Sequence, residues 1–260
     1  MTEDYLNRFS GIARLYGELA LEKFSSSHVM IIGLGGVGSW IAEALARSGI
    51  GKFSLVDLDD LCITNINRQI HALTETIGKS KASSLAERIH SINPEAGITV
   101  HQSFYSERTS EELLLSNRPD LVLDAIDSAR AKVHLLATCR ENDIPVITSG
   151  GAGGRRDATQ ILVDDLSRAY GDPLLSGIRK QLRARYRFPP ASKKGGKFKI
   201  QAVFSPEPRL FPQCDGSTSP DRPEELQGGL KCDAGYGAAT HLTATFGNLM
   251  VGLALEELAS

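Results

Sequence analysis

The chain of 260 residues contains no CxxC pair, and its four cysteines, Cys62, Cys139, Cys214 and Cys232, show no paired spacing. That argues against a disulfide framework and leaves most of them as buried or incidental thiols. No secretory leader opens the sequence, so a reducing, cytoplasmic setting is expected. Internal repeats and low-complexity tracts are missing. Acidic residues are missing between Pro173 and Pro206, where nine Lys and Arg stand, so a formal net charge of −2 conceals −11 on the remainder. Charged residues are also missing from Ala234 to Leu255, a stretch long enough to cross a bilayer. It holds His241, Asn248, three threonines and several glycines, and its stronger apolar residues come only from Phe246 onward. A helix buried in the protein or at a subunit contact is the reading, not a membrane span.

What is present begins with ordinary globular proportions, 41% hydrophobic and 23% charged, in a length that can bury a full core. The most informative segment is Gly33-Leu34-Gly35-Gly36-Val37-Gly38. The apolar run Val29–Ile32 leads into it, and a helical pattern from Ser39 to Arg47 leaves it. A strand, a glycine-rich turn and a helix make a phosphate-binding unit. The glycines admit a tight turn and close approach, and the polyphosphate meets the free N–H groups that open the helix. By itself this turn most often signals a dinucleotide.

Strand and helix signals then alternate. Strands are expected at Lys52–Val56, Ile98–His101, Leu121–Leu123 and Pro145–Thr148. Helices are expected at Lys79–Ile92, Glu107–Leu115 and Ala129–Glu141. This order implies an α/β fold, a Rossmann-like, doubly wound and mostly parallel sheet whose ligand sits beyond the carboxyl ends of the strands. After the Gly150–Gly154 cluster a strand over Ala158–Val163, a basic helix over Leu174–Tyr186 and a strand over Lys199–Phe204 extend it. Pro206–Gly229 reads as a long loop.

Asp57 stands where a dinucleotide site keeps the acid for a ribose hydroxyl. Here Asp59, Asn65, Asn67, Arg68, Gln69, Lys79 and Lys81 follow it, and Asp127 comes just after the Leu121 strand. A redox dinucleotide has no need of such a cluster. A triphosphate does, with an acid for the ribose, Arg and Lys for the phosphates and a carboxylate for the metal. Taken singly, these residues are equally well explained as caps or solvated side chains.

The ordered series Gly33–Ser39, Asp57-Leu58-Asp59, Asn65–Gln69, Ile77–Lys81 and Asp124–Asp127 resembles the E1-like (ThiF/MoeB/HesA) adenylyltransferases. The resemblance is tightest over residues 8–150, and the helix from Cys232 onward is similar to theirs. It implies that Gly33, Gly35, Gly36, Gly38, Asp57, Asp59, Asn65, Asn67, Arg68, Gln69, Lys81 and Asp127 bind ATP, Asp127 through Mg²⁺. It also implies a homodimer in which an N-terminal arginine, best matched by Arg14 and next by Arg8, reaches the partner's site. Arg14, Arg68, Lys81 and Asp127 would carry the catalysis. The zinc-binding CxxC pairs of many bacterial members and the catalytic-cysteine domain of ubiquitin-type members are both missing.

The departures, together with Arg8-Phe9, Ala13–Gly17, Gly153–Asp157 and the basic tract into Gln201–Ser205, make the chain most similar to the tRNA threonylcarbamoyladenosine dehydratase branch. That resemblance implies adenylation of the threonyl carboxylate at tRNA position 37, then ring closure by the ureido nitrogen. Residues 1–150 would form the adenylation core with an N-terminal arm. Residues 151–260 would add the sheet extension, tRNA-facing segment and packing helix to one continuous domain. Arg155, Arg156, Arg179, Lys180, Arg183, Arg185, Arg187, Lys193, Lys194, Lys197 and Lys199 would track tRNA phosphates, with Tyr186 or Phe188 stacking on a base. The alternatives are a ubiquitin-like sulfur carrier as substrate, with Cys214 or Cys232 as acceptor and a sulfur-relay partner, an NAD-dependent redox enzyme, and a non-catalytic nucleotide sensor.

Overall fold

The computed structural model describes residues 1–191, 196–213, 215–222 and 237–260. Its sheet contains β1 (His28–Ile32), β2 (Lys52–Val56), β3 (Gly97–His101), β4 (Leu121–Asp124), β5 (Val146–Ser149), β6 (Leu162–Asp165) and β7 (Gln201–Phe204). Their order across the sheet is β3-β2-β1-β4-β5-β7-β6. Neighbours are parallel except β6, which runs antiparallel to β7. The β5–β7 pairing joins the two halves of the chain in one sheet. A two-stranded hairpin, β8 (Phe211–Pro212) with β9 (Thr218–Ser219), lies within the segment read as a loop.

Alternate residues of the central strands feed two cores. Val29 and Ile31 of β1 and Leu121 and Leu123 of β4 face one side, while Met30, Ile32 and Val122 face the other. A sheet buried on both faces needs such apolar runs. On the first side lie α3 (Gly38–Arg47), α4 (Lys81–Ile92) and α7 (Thr240–Ala259). On the second lie α5 (Ala129–Glu141) and α6 (Pro173–Arg185). Ser80 caps α4 and Asp172 caps α6, where Pro173 opens the first turn. Among the described residues, no helix is long and apolar enough to cross a membrane.

Several element boundaries differ from expectation. Ala158–Gln160 is a 3-10 turn, and the strand starts only at Leu162. Residues 107–109 are turn, and the short helix after β3 covers Glu111–Ser116. The uncharged C-terminal stretch turns helical at Thr240 and packs on α2 (Glu18–Ser26) and α3.

Candidate functional site

The glycine-rich turn is fastened at the carboxyl ends of three neighbouring strands. Gly33 N–H donates to Val56 O at 3.0 Å, and Ala125 N–H donates to Ile32 O at 3.0 Å. Gly33 has φ +88°, and a Cβ on it would lie 2.9 Å from Ala125 O. A Cβ on Gly38 would lie 1.8 Å from Gly33 O. Neither position accepts a side chain without opening the turn. Asp57, 8% exposed, closes it from β2: Oδ2 accepts the Leu34 N–H at 2.7 Å and Oδ1 the Asp59 N–H at 2.9 Å. The carboxylate expected at a ribose therefore also organises the backbone of the phosphate turn.

The remaining expected groups gather along the same edge. Lys81, in the first turn of α4, pairs with Asp59 at 2.7 Å, and its own N–H donates to Asp59 O. Arg68 is half-buried; its Nη1 donates to Thr64 O at 2.8 Å and Asn67 Oδ1 at 3.0 Å. A Cβ on Gly36 would meet the Arg68 Cδ and Cγ at 3.3 Å, so this side chain lies over the turn. Gln69 is buried, with its Nε2 4.0 Å from where a Gly35 Cβ would stand. Asn65 is also buried and spends its carbonyl on the Cys62 N–H at 3.1 Å, a turn-closing bond. His71 is enclosed behind Lys81 and Arg88; burial first, then those two charges, hold its imidazole neutral, with a pKa lowered to about 3.

Asp127 is exposed and has no partner among the described residues, so its carboxylate is available. Its loop is anchored from beneath. Asp124, fully buried at the end of β4, receives Lys132 Nζ at 2.7 Å and Thr148 Oγ1 at 2.7 Å on Oδ2, and the Ile126 N–H at 3.1 Å on Oδ1. Beside Asp127 a cleft of about 430 Å³ opens between the loop after β3 and the first turns of α5, lined by Tyr105, Ser106, Ser128, Ala131 and His134.

Two contributors were missed in the sequence reading. Lys132 is one; its signal was a lone charge within the apolar stripe Ala129, Val133 and Leu136 of α5. The other is the start of α7. Asn67 Nδ2 donates to Ala238 O at 2.7 Å, Thr240 Oγ1 donates to Asn67 O at 2.6 Å, and a Gly36 Cβ would lie 3.0 Å from Thr243 Cγ2. Among the described residues no side chain caps this helix, and its N-terminal dipole joins that of α3 beside the turn.

The basic tract separates into three groups. Lys180, Arg185, Arg187, Lys197 and Lys199 are exposed, and Arg156 is exposed with Nη2 on Thr218 Oγ1 at 2.5 Å. Arg179 and Arg183 are half-buried, Arg183 donating to Pro189 O at 3.0 Å with its guanidinium 5.1 Å from the Phe198 ring centre. Arg155 contradicts its expected place on a phosphate-tracking face. Its side chain has 0% exposure and is paired with Asp172 at 3.1 Å. Phe188 is likewise unavailable for base stacking, being 5% exposed and packed edge-on against Phe198 at 4.8 Å; Tyr186 is half-buried against the same core. Lys193, Lys194, Cys214 and Cys232 lie outside the described residues.

Arg14 lies in the last turn of α1 (Glu3–Tyr16), and among the described residues no hydrogen bond or ion pair joins it to the nucleotide-facing side chains. Tyr5 of α1 donates to Gly49 O, just before the start of β2 and so at the other end of the strands. Both arginines are exposed, but Arg8 is paired with Asp4 at 2.6 Å.

A parallel sheet with a phosphate turn, an adjacent Lys–Asp pair, an arginine over the turn and a free carboxylate at one edge defines a nucleotide-binding enzyme of the adenylating class. The chain belongs to the ThiF family, whose sequence pattern matches residues 8–256. It is 46% identical over 263 residues to the tRNA threonylcarbamoyladenosine dehydratase of Escherichia coli, across 99% of this chain and 96% of that protein. The Haemophilus influenzae protein of the same name is 46% identical over 257 residues, covering 98% and 95%. The solved E. coli tRNA N6-threonylcarbamoyladenosine dehydratase in complex with ATP superposes with a TM-score of 0.86 at 44% identity, covering 99% of this chain and 96% of that one.

Proposed function

We propose that this protein is an ATP-dependent tRNA threonylcarbamoyladenosine dehydratase. The observation that carries this reading is a likeness that runs unbroken through both halves of the chain, the nucleotide half and the half containing α6 and β7. In the first step a threonyl carboxylate oxygen attacks the α-phosphorus of ATP and pyrophosphate leaves. In the second the ureido nitrogen attacks the acyl carbon, loses its proton, and AMP departs as the five-membered ring closes. An internal nucleophile needs no catalytic thiol, since effective molarities reach ~10⁵–10⁸ M.

Charge accumulates on the phosphoryl oxygens and the leaving group, so preplaced cations are the main device. Arg68 and Lys81 serve it, the lysine exchanging Asp59 for phosphate oxygen. Amides of the Gly33–Gly38 turn and the starts of α3 and α7 cradle the phosphates. Asp57 holds the ribose while keeping the turn in shape, and the cleft at Tyr105 and Ala131 receives the base. The described residues hold no cluster of three or more His, Cys, Asp or Glu side chains for a metal. One free carboxylate beside phosphates suits Mg²⁺, which keeps waters and takes one or two protein oxygens. Asp127 would hold that ion, which when bound neutralises phosphate charge. Arg14, unable to serve its own site, reaches the site of a second copy in a homodimer.

Incubated with ATP, the protein should form AMP with tRNA bearing threonylcarbamoyladenosine and form none with a Gly-Gly carrier peptide. AMP driven by the peptide, or by neither, contradicts the reading.

Exposed cations at the far end of α6 suit the anticodon stem. The helix starts beside the β5 turn and runs 13 residues, on the order of 20 Å. Charge reversal at Arg185 and Lys197 should weaken tRNA binding and flatten its salt dependence by about one unit of slope per lost phosphate contact. A titration showing the same affinity and slope would remove these residues from the interface.

A further inference from the structure

Two segments of chain, the start of α6 and residues 151–155, meet on the carboxylate of Asp172, which is fully buried. Its Oδ1 accepts the Leu175 N–H at 3.0 Å and so caps α6. Its Oδ2 accepts the Gly151 N–H at 3.0 Å, just past the carboxyl end of β5. The same oxygen accepts Arg155 Nη2 at 3.1 Å, and Arg155 Nε donates to Glu207 O at 3.1 Å. Glu207 in turn accepts the N–H groups of Arg156 and Asp157.

The packing leaves this junction little slack. A Cβ on Gly150 would stand 2.5 Å from Asp172 Oδ2, and one on Gly151 would stand 2.4 Å from Arg209 Nη2. Gly150 N–H also donates to Val203 O at 2.8 Å, which ties the turn to β7. Displacing the start of α6 without moving Gly151 would strip a buried carboxylate of charge-assisted bonds, a costly separation. The basic helix and the β5 turn therefore move together. β5 lies beside β4, whose end carries the loop of Asp127.

We propose that Asp172 is a positioning residue. Through Gly151 it sets the Gly150–Ala152 turn, and with it the acid-bearing nucleoside, relative to the ATP held at Asp127, at the position that RNA on α6 requires. The proposal rests on the dehydratase reading above and adds where the tRNA-bound acid is placed. Arg155, expected on the tRNA face, belongs to this buried junction instead.

The test uses the full chain with Asp172→Asn, and with the charge-balanced pair Arg155→Met/Asp172→Asn, which removes both buried charges and keeps the proposal testable if the single variant unfolds. ATP affinity without tRNA, tRNA affinity, thermal midpoint, and the single-turnover rate of AMP formation at saturating ATP and modified tRNA are measured. Both affinities are expected within about twofold of the unsubstituted protein. The single-turnover rate is expected to fall about 10²-fold, as for a misplacement on the order of 1 Å. The double variant should regain thermal midpoint without regaining rate. A rate within about threefold of the unsubstituted protein in either folded variant overturns the proposal, as does ATP affinity lost in parallel with rate. Failure of the dehydratase reading is separate and visible beforehand: the unsubstituted protein would form no AMP with the modified tRNA.

Discussion

Asp127→Ala should abolish the exchange of pyrophosphate into ATP that modified tRNA supports, with a loss of about 10³-fold or more. The carboxylate is exposed, has no partner among the described residues, and follows β4 at the edge where the phosphate turn opens. Asp127→Asn keeps the shape and removes the charge, so it should fail equally. Because the side chain bonds to none of the other described residues, the thermal midpoint should stay where it is. That combination, a dead exchange reaction in an unaltered scaffold, separates a phosphate-and-metal role from a structural one. Labelled pyrophosphate incorporation at unchanged levels in the alanine variant would eliminate the role.

The second large effect lies underneath the same loop. Lys132→Met leaves Asp124 buried at the end of β4 without its cation, retaining only Thr148 Oγ1 and the Ile126 N–H. Breaking one side of a buried pair costs about 3–5 kcal/mol. At roughly 2–4 °C per kcal/mol for a chain somewhat smaller than this one, the thermal midpoint should fall by around 10 °C. Adding Asp124→Asn should recover much of the loss, since no unpaired charge remains. Calorimetric unfolding that shows the single variant as stable as the unsubstituted protein would mean that the pair is not what holds residues 124–127 in place.

Much of the nucleotide half was legible because its signals are local. The apolar run Val29–Ile32, the glycines and the helical pattern after them specify strand, turn and helix within twenty residues. The strand ends then predict one edge for Asp57, Lys81 and Asp127, and all three lie there. What misled was charge and aromaticity read without burial. Arg155 sits in a basic-looking Gly-Gly-Arg-Arg run, yet its guanidinium is enclosed with Asp172. Phe188 follows an arginine in a polar tract, yet it completes a cluster with Phe198 and with Arg140, whose guanidinium lies 4.8 Å from its ring centre. Asn65 lies in the motif but serves its own turn.

By itself the sequence determined the order of elements, the phosphate turn and the types of side chain that a triphosphate demands, since periodicity and glycine placement are written over short windows. Only the tertiary structure decided which of those side chains are free to act. Lys132 and Arg155 are buried because Asp124 and Asp172 arrive from other strands and loops to pair with them. Arg68 lies over the turn, and the start of α7 stands against it, through contacts between residues 173 and 175 positions apart in the chain. Such pairings depend on which strands become neighbours, a property of the whole packed sheet that no local window contains.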